Sequence, residues 1–347
     1  MNGKYSRRDF LKLAGFGLAG LAFTPYLGST EQLDTSIDTV RIATKSVSVY
    51  SQPWDKSRIL YQRYFDDVVN VYYSLVSDKG PAWNPVWYRV WGGYIHSAYV
   101  ETVRNQLNSV ISTFPEKGQL ARVTVPYTQS MRYNPYMKTW TSFYRLYYGS
   151  NHWIMGVAPG PDGGPWYHLK DDLKIDYYVA APHLSPIGPE EFAPISPEVP
   201  PSKKRIEVSI SQQTLTAYEY NKVVFKTKIS SGVPQANPPP GMTPTDTPVG
   251  NFYVYSKMPS KHMGDGKLNI DPSNYYELPG VPWTSFFAPE GVATHGTYWH
   301  TNFGNPMSHG CVNMRTEEAH WIFRWTTPVA SPDSWETRGW EISVKVS

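Results

Sequence analysis

A single cysteine, Cys311, stands in a chain of 347 residues. No internal disulfide can form, so the domains are held together by packing alone. Charge is scarce as well: Asp, Glu, Lys and Arg make up 18% of the chain and the net charge is only +3. The first 30 residues already account for that charge, with Lys4, Arg7, Arg8 and Lys12 against Asp9, and the remainder of the chain is neutral overall. Binding to nucleic acid needs a basic excess that neutralises phosphates, so nucleic acid is excluded as a partner. Beyond the leader, no apolar run approaches the ~20 residues that span a bilayer. The chain is instead 40% hydrophobic and 15% aromatic, which excludes a disordered, charge-dominated polymer. Its length allows two or three domains at roughly 100 to 200 residues each.

Residues 1–30 read as an address. Ser6-Arg7-Arg8-Asp9-Phe10-Leu11-Lys12 precedes a Gly- and Ala-rich apolar stretch from Leu13 to Phe23, and then come Pro25, Gly28 and Ser29. This order resembles a twin-arginine export signal, which implies a protein of the cell envelope, in the wall at the outer face of the cytoplasmic membrane. Contact with the membrane persists only if the signal stays uncleaved, and Ala19-Gly20-Leu21-Ala22 offers small residues for cleavage. The bland alternative is a basic N-terminal helix on a cytosolic protein.

Next in the chain are two β-rich blocks, over 38–105 and 106–181. Short runs such as Val47-Ser48-Val49-Tyr50 are broken by Asp78-Lys79-Gly80-Pro81 and Gly92-Gly93. The pair Trp87-Tyr88 returns as Trp166-Tyr167, which suggests a diverged internal repeat of two small barrel-like modules. The first resembles the bacterial Src-homology-three-like barrels attached to many wall enzymes; the second does so over its last part. Trp54, Trp83, Trp91, Trp140 and Trp153 are expected in barrel cores rather than on a ligand platform. Seven prolines between Pro182 and Pro201 predict an extended linker over 182–202.

A third domain spans 203–347. Ile206, Val208 and Ile210 alternate with polar residues, and Thr214 to Tyr218 and Val223 to Phe225 flank Asn221-Lys222 as a hairpin. Further strands are expected at Lys228 to Ser230 and Asn251 to Tyr255. One helix comes after the cysteine: Thr316 can cap it, Glu317 and Glu318 suit its positive end, Ala319, Ile322 and Phe323 form its apolar face, and Pro328 stops it.

The chemistry-bearing residues fall between Thr294 and Arg315. Thr294-His295-Gly296 comes first and Ser308-His309-Gly310-Cys311-Val312-Asn313-Met314-Arg315 second. Attack by sulfur on a carbonyl needs a base, N–H groups aimed at the oxyanion, and a group that fixes the tautomer of the base. Gly310 has no Cβ, so the N–H groups around Gly310 and Cys311 can approach a substrate closely. The nearby helix start predicts a modest lowering of the thiol pKa from about 8.5. Spacing alone leaves open which histidine is the base.

His295-Gly296, a gap, then Ser308-His309-Gly310-Cys311-Val312-Asn313 resemble the signature of the L,D-transpeptidase, or YkuD, family. Ile206 to Tyr218 and Thr247-Pro248-Val249-Gly250-Asn251-Phe252 resemble the opening strands and Thr-Pro-x-Gly turn of the same domain. The fold class implied is mainly β: two small barrel-like modules, then a mixed-sheet catalytic domain with a helix after the cysteine. The resemblance implies Cys311 as nucleophile, His295 as proton donor and acceptor, and the Gly296 carbonyl as its orienter. It implies that His309 shapes the pocket, that the Gly310 and Cys311 N–H groups hold the oxyanion, and that Asn313 binds substrate. Ser308 is a further candidate on the same motif. Arg315 can meet a substrate carboxylate or pair with Glu318. Tyr276, Trp283, Phe286 and Phe287 line the donor site or pack in the core. The segment from Lys257 to Gly280 falls where the family has a variable lid.

The reaction implied is two-step acyl transfer between peptidoglycan stem peptides, donor and acceptor, with release of D-Ala and formation of a 3→3 cross-link. It needs no cofactor and no metal, and carbapenem-type β-lactams are expected as covalent inhibitors. Three rivals stand beside it: an L,D-carboxypeptidase of the same fold, a zinc site built from His295, His300, His309 and Cys311, and a non-catalytic wall-binding protein.

Overall fold

The computed structural model describes residues 39–235, 245–264 and 277–347. The leader expected over 1–30 and the candidate Tyr276 lie outside them. In the first region the strand Thr39–Ile42 lies between Val68–Asn70 and Val100–Thr102. A five-stranded sheet beside it runs in the order Ile59–Tyr64, Ser46–Tyr50, Gly93–His96, Val86–Val90, Tyr73–Val76. Their inner faces close on Val40, Ile42, Val49, Val90 and Ile95. The second region is a seven-stranded sheet, from Thr139–Tyr147 at one edge to Leu184–Pro186 at the other. Both Trp-Tyr pairs are buried, in strands covered on both faces. Of the other tryptophans expected in barrel cores, Trp153 is buried, whereas Trp83 and Trp91 are 47% and 69% exposed.

The proline-rich segment is not a free spacer. Leu184–Pro186 pairs with Gln119–Val123, Pro189 and Pro201 open short 3-10 turns, and Leu184, Ile187, Phe192 and Val199 are buried. Proline count predicts an extended chain; the apolar residues between the prolines decide where that chain packs.

The third region holds two five-stranded sheets and the helix Thr316–Trp325. The predicted hairpin forms from Thr214–Glu219 and Lys222–Lys228. Each sheet has one parallel pair: Lys204–Ser209 beside the C-terminal Ser343–Val346, and Val292–Gly296 beside Val312–Met314. Ala319, Ile322, Phe323 and Trp325 of the helix bury against Trp283, Val312 and Met314. Thr316 is the first helical residue rather than the cap, and no side chain caps that end. The other end is satisfied by two lysines: Lys204 Nζ donates to Trp325 O at 3.1 Å and Lys257 Nζ to Thr326 O at 2.7 Å. Lys257 to Met263 and Leu278 to Gly280, expected within a lid, belong instead to the long paired strands Ser256–Met263 and Leu278–Ala288.

A polar cluster around Arg41 and an apolar one are among the contacts that bind the regions to each other. Buried Arg41 meets Glu101 and Asp66, both at 2.8 Å, and donates to Tyr298 O at 3.2 Å, while Asp66 also pairs with Arg145. Leu120, Trp153, Ile187 and Phe192 extend the core of the third region into the second.

Candidate active site

In the parallel pair, Thr294 stands opposite Val312, His295 opposite Asn313 and Gly296 opposite Met314. Cys311 immediately precedes this register. Paired residues point to the same face and faces alternate along a strand, so His295 and Asn313 share a face with Ala293. Val312 and Met314 take the other face and join the helix in the core. The sulfur lies against the backbone of Gly291 and Ala293, on the segment that leads into the strand of His295. Cys311 is half-buried, and its thiol lies 3.8 Å from Gly291 O.

His295 is almost wholly buried. Its Nδ1 is 3.0 Å from Gly296 O, and because a carbonyl only accepts, Nδ1 carries the proton and Nε2 keeps its lone pair. Burial lowers its pKa to about 4, against the opposing pull of the Gly296 carbonyl. Burial also pushes the Cys311 thiol up to about 11, although a backbone hydrogen bond from Ala293 pulls the other way. The lowering expected from the helix start is thus reversed, because the strand Val312–Met314 separates sulfur and helix while desolvation acts on the sulfur directly. At neutral pH both groups are uncharged.

The turn before Cys311 is braced from within and from outside. Gly310 has φ +114°, a conformation that side chains rarely adopt. Its N–H donates to Ser308 Oγ at 3.2 Å, and Ser308 Oγ donates to Cys311 O. Ser308, expected at the substrate, is 4% exposed and serves as this brace. Gly310 N–H, expected in the oxyanion hole, is likewise engaged. Thr247 Oγ1 donates to Gly310 O at 2.8 Å while accepting from Gly232 N at 2.8 Å. His309 is exposed on the turn.

Other candidates are placed differently from expectation. Asn313 is 1% exposed, and its amide lies 2.9 Å from Nε2 of buried His300; the register that puts it opposite His295 also turns it inward. Trp283 is fully buried, with its ring stacked 4.2 Å from His320 and edge-on to Phe192, so it is core beneath the helix. Arg315 pairs with Glu318 at 3.2 Å. Phe287 is buried in the same core as Trp283. Among the described residues, no three His, Cys, Asp or Glu side chains are grouped to hold a metal ion. Sequence reasoning missed Thr247 as a brace and His300 as the partner of Asn313, because both act across the chain. It also missed Tyr255, whose phenol pKa is raised by burial and by proximity to Cys311.

Residues 203–333 match the family model described as YkuD, the L,D-transpeptidase catalytic domain. That segment is a YkuD domain, in a chain that is mainly β. Among solved structures, the chain is similar to a C442S mutant L,D-transpeptidase of Enterococcus faecium at 25% identity and TM-score 0.31, covering 42% of this chain and 50% of that one. It is similar to residues 123–326 of an L,D-transpeptidase of Xylanimonas cellulosilytica at 26% identity and TM-score 0.30, covering 42% and 61%. A third similar structure is an L,D-transpeptidase from Mycobacterium smegmatis, at 15% identity and TM-score 0.33, covering 71% and 98%. The chain spans about half the length of the Enterococcus faecium structure. No curated protein matches it.

Proposed function

We propose that the chain is a peptidoglycan L,D-transpeptidase that forms 3→3 cross-links through a thioester on Cys311. The observation that supports this reading is the parallel register that sets the strand of His295 beside the strand that Cys311 leads into, with Nδ1 tied to Gly296 O so that Nε2 keeps its lone pair. The thiol and imidazole start neutral. As Sγ bonds to the carbonyl carbon of the third stem residue, Nε2 takes the thiol proton. Collapse breaks the bond to D-Ala, whose amine leaves with that proton, and the acyl group stays on sulfur. An amine of a second stem then attacks the thioester, passes its proton to Nε2, and Sγ departs with it. With Gly310 N–H held by Ser308, the Cys311 N–H is the donor nearest the developing oxyanion. The exported, cell-envelope location belongs to the same proposal, as does acylation by carbapenems, whose strained amide offers the same nucleophile a carbonyl.

Intact-mass measurement after incubation with a tetrapeptide donor or a carbapenem tests it. The expected result is an adduct on the unsubstituted chain that is absent from Cys311→Ala. An adduct on both, or on neither, overturns the assignment of the nucleophile. Incubation with and without an amine acceptor then reads transfer against hydrolysis: a product found only as the free acid marks an L,D-carboxypeptidase instead.

A further inference from the structure

A cavity of about 970 Å³ opens where the three regions meet, and neither Cys311 nor His295 lines it. Its volume is at the upper end of what small-molecule sites hold, roughly 300 to 1,000 Å³. Most charges on its walls are already answered. Arg122 pairs with Glu191 at 2.6 Å, Arg315 with Glu318 at 3.2 Å, and Glu101 with Arg41 at 2.8 Å. Exposed Arg104 and Glu317 remain, of opposite sign, so the walls carry no charge excess to hold an ion. They do carry aromatic surface, chiefly from 47%-exposed Trp83 of the first region and part-buried Tyr148 of the second, with Tyr88 and Phe303 set deeper. They also carry Thr297 Oγ1 and Arg122 Nε, polar atoms without a partner among the described residues. The first turn of the helix, at Thr316 and Glu317, adds N–H groups that no side chain caps.

Balanced charge, aromatic faces and spare hydrogen-bonding groups match an uncharged, polyhydroxylated ligand. The C–H face of a sugar ring carries partial positive charge toward the negative face of an aromatic ring, and its hydroxyls can both donate and accept. We propose that this cavity is a saccharide site, distinct from Cys311, that takes a neutral glycan segment. His300 on its wall bonds Asn313, two residues along the chain from Cys311. The proposal does not depend on Cys311 chemistry.

Calorimetric titration of the full-length Cys311→Ala chain with chitotetraose, a neutral tetrasaccharide, tests it. Saturable binding is expected, weakened tenfold or more in Trp83→Ala, where a half-exposed ring is removed, and in Thr297→Val, where the shape is kept. No binding, or binding unchanged in both variants, overturns the proposal. Equal or tighter binding of inorganic phosphate or of a stem tetrapeptide, lost in the same variants, overturns it in favour of an anion or peptide site. The adduct test on the unsubstituted chain is a separate reading, so failure of one leaves the other standing.

Discussion

His295 is almost wholly buried and Cys311 half-buried, and desolvation is the largest influence on both. With the imidazole neutral above about 4 and the thiol neutral below about 11, acylation needs no prior ion pair. The carbapenem acylation rate is expected to be flat from about pH 6 to 9 and to fall as His295 protonates at lower pH. A rate that instead climbs tenfold per pH unit across that range, measured by stopped flow, marks a free thiolate as the nucleophile. Gly310→Ala forces a side chain into φ +114° and is expected to cost about 1–3 kcal/mol and to slow acylation. Thr247→Val strands the Gly310 carbonyl and the Gly232 N–H together, at about 1–3 kcal/mol for each buried group. Denaturant unfolding beside acylation rates checks both variants.

Strands and the helix meet through particular side chains. Arg41 lies on an N-terminal strand, yet its guanidinium answers Glu101, Asp66 and the carbonyl of Tyr298, and it covers the Tyr147 ring at 4.1 Å. Arg41→Ala leaves buried Glu101 without its cation and Asp66 with Arg145 alone, and is expected to cost about 3–5 kcal/mol, read as a lower midpoint in urea. His262 is clasped between Asp171 at 2.7 Å, from the second region, and Glu277. Burial works against its charge, but the two carboxylates outweigh it and raise its pKa. Asp172 on the neighbouring turn, Lys261 beside it, the ring of Tyr144 and the imidazole of His152 also face it. The stabilisation is fully present below the unfolded pKa of about 6.5 and is lost as pH rises through the higher folded value. Stability is thus expected to fall across that rise in the parent and to stay level in His262→Gln, as melting against pH will show.

The molecule as a whole shares its core across regions. Leu120, Trp153, Ile187 and Phe192 pack into the same cluster as Trp283, Phe323 and Trp325, and Trp153 stacks on Trp335 at 5.0 Å. Cutting the chain at residue 203 exposes that surface, so a fragment of 203–347 is expected to melt below the full chain by calorimetry. Equal midpoints would make the contact energetically idle. The proline-rich stretch hides this arrangement from the sequence: its composition reports stiffness, whereas the partners of Phe192 come from the strand and helix of the third region. Asn313 and Trp283 misled for a related reason, since a residue type proposes a role but register and burial decide which neighbour receives it.

The β character, the helix after the cysteine with its Ala319, Ile322 and Phe323 face, the absence of disulfides and the pairing of a His-Gly with a Ser-His-Gly-Cys motif all follow from residues close together in the chain. Local pattern suffices there because hydrophobic periodicity and motif spacing act over a few residues. The protonation state of Cys311 and His295, the bracing of Gly310 by Thr247, 63 residues away, and the reach of Arg41 to Tyr298, 257 residues away, belong to the tertiary structure. Desolvation and hydrogen-bond satisfaction depend on atoms that only folding brings near.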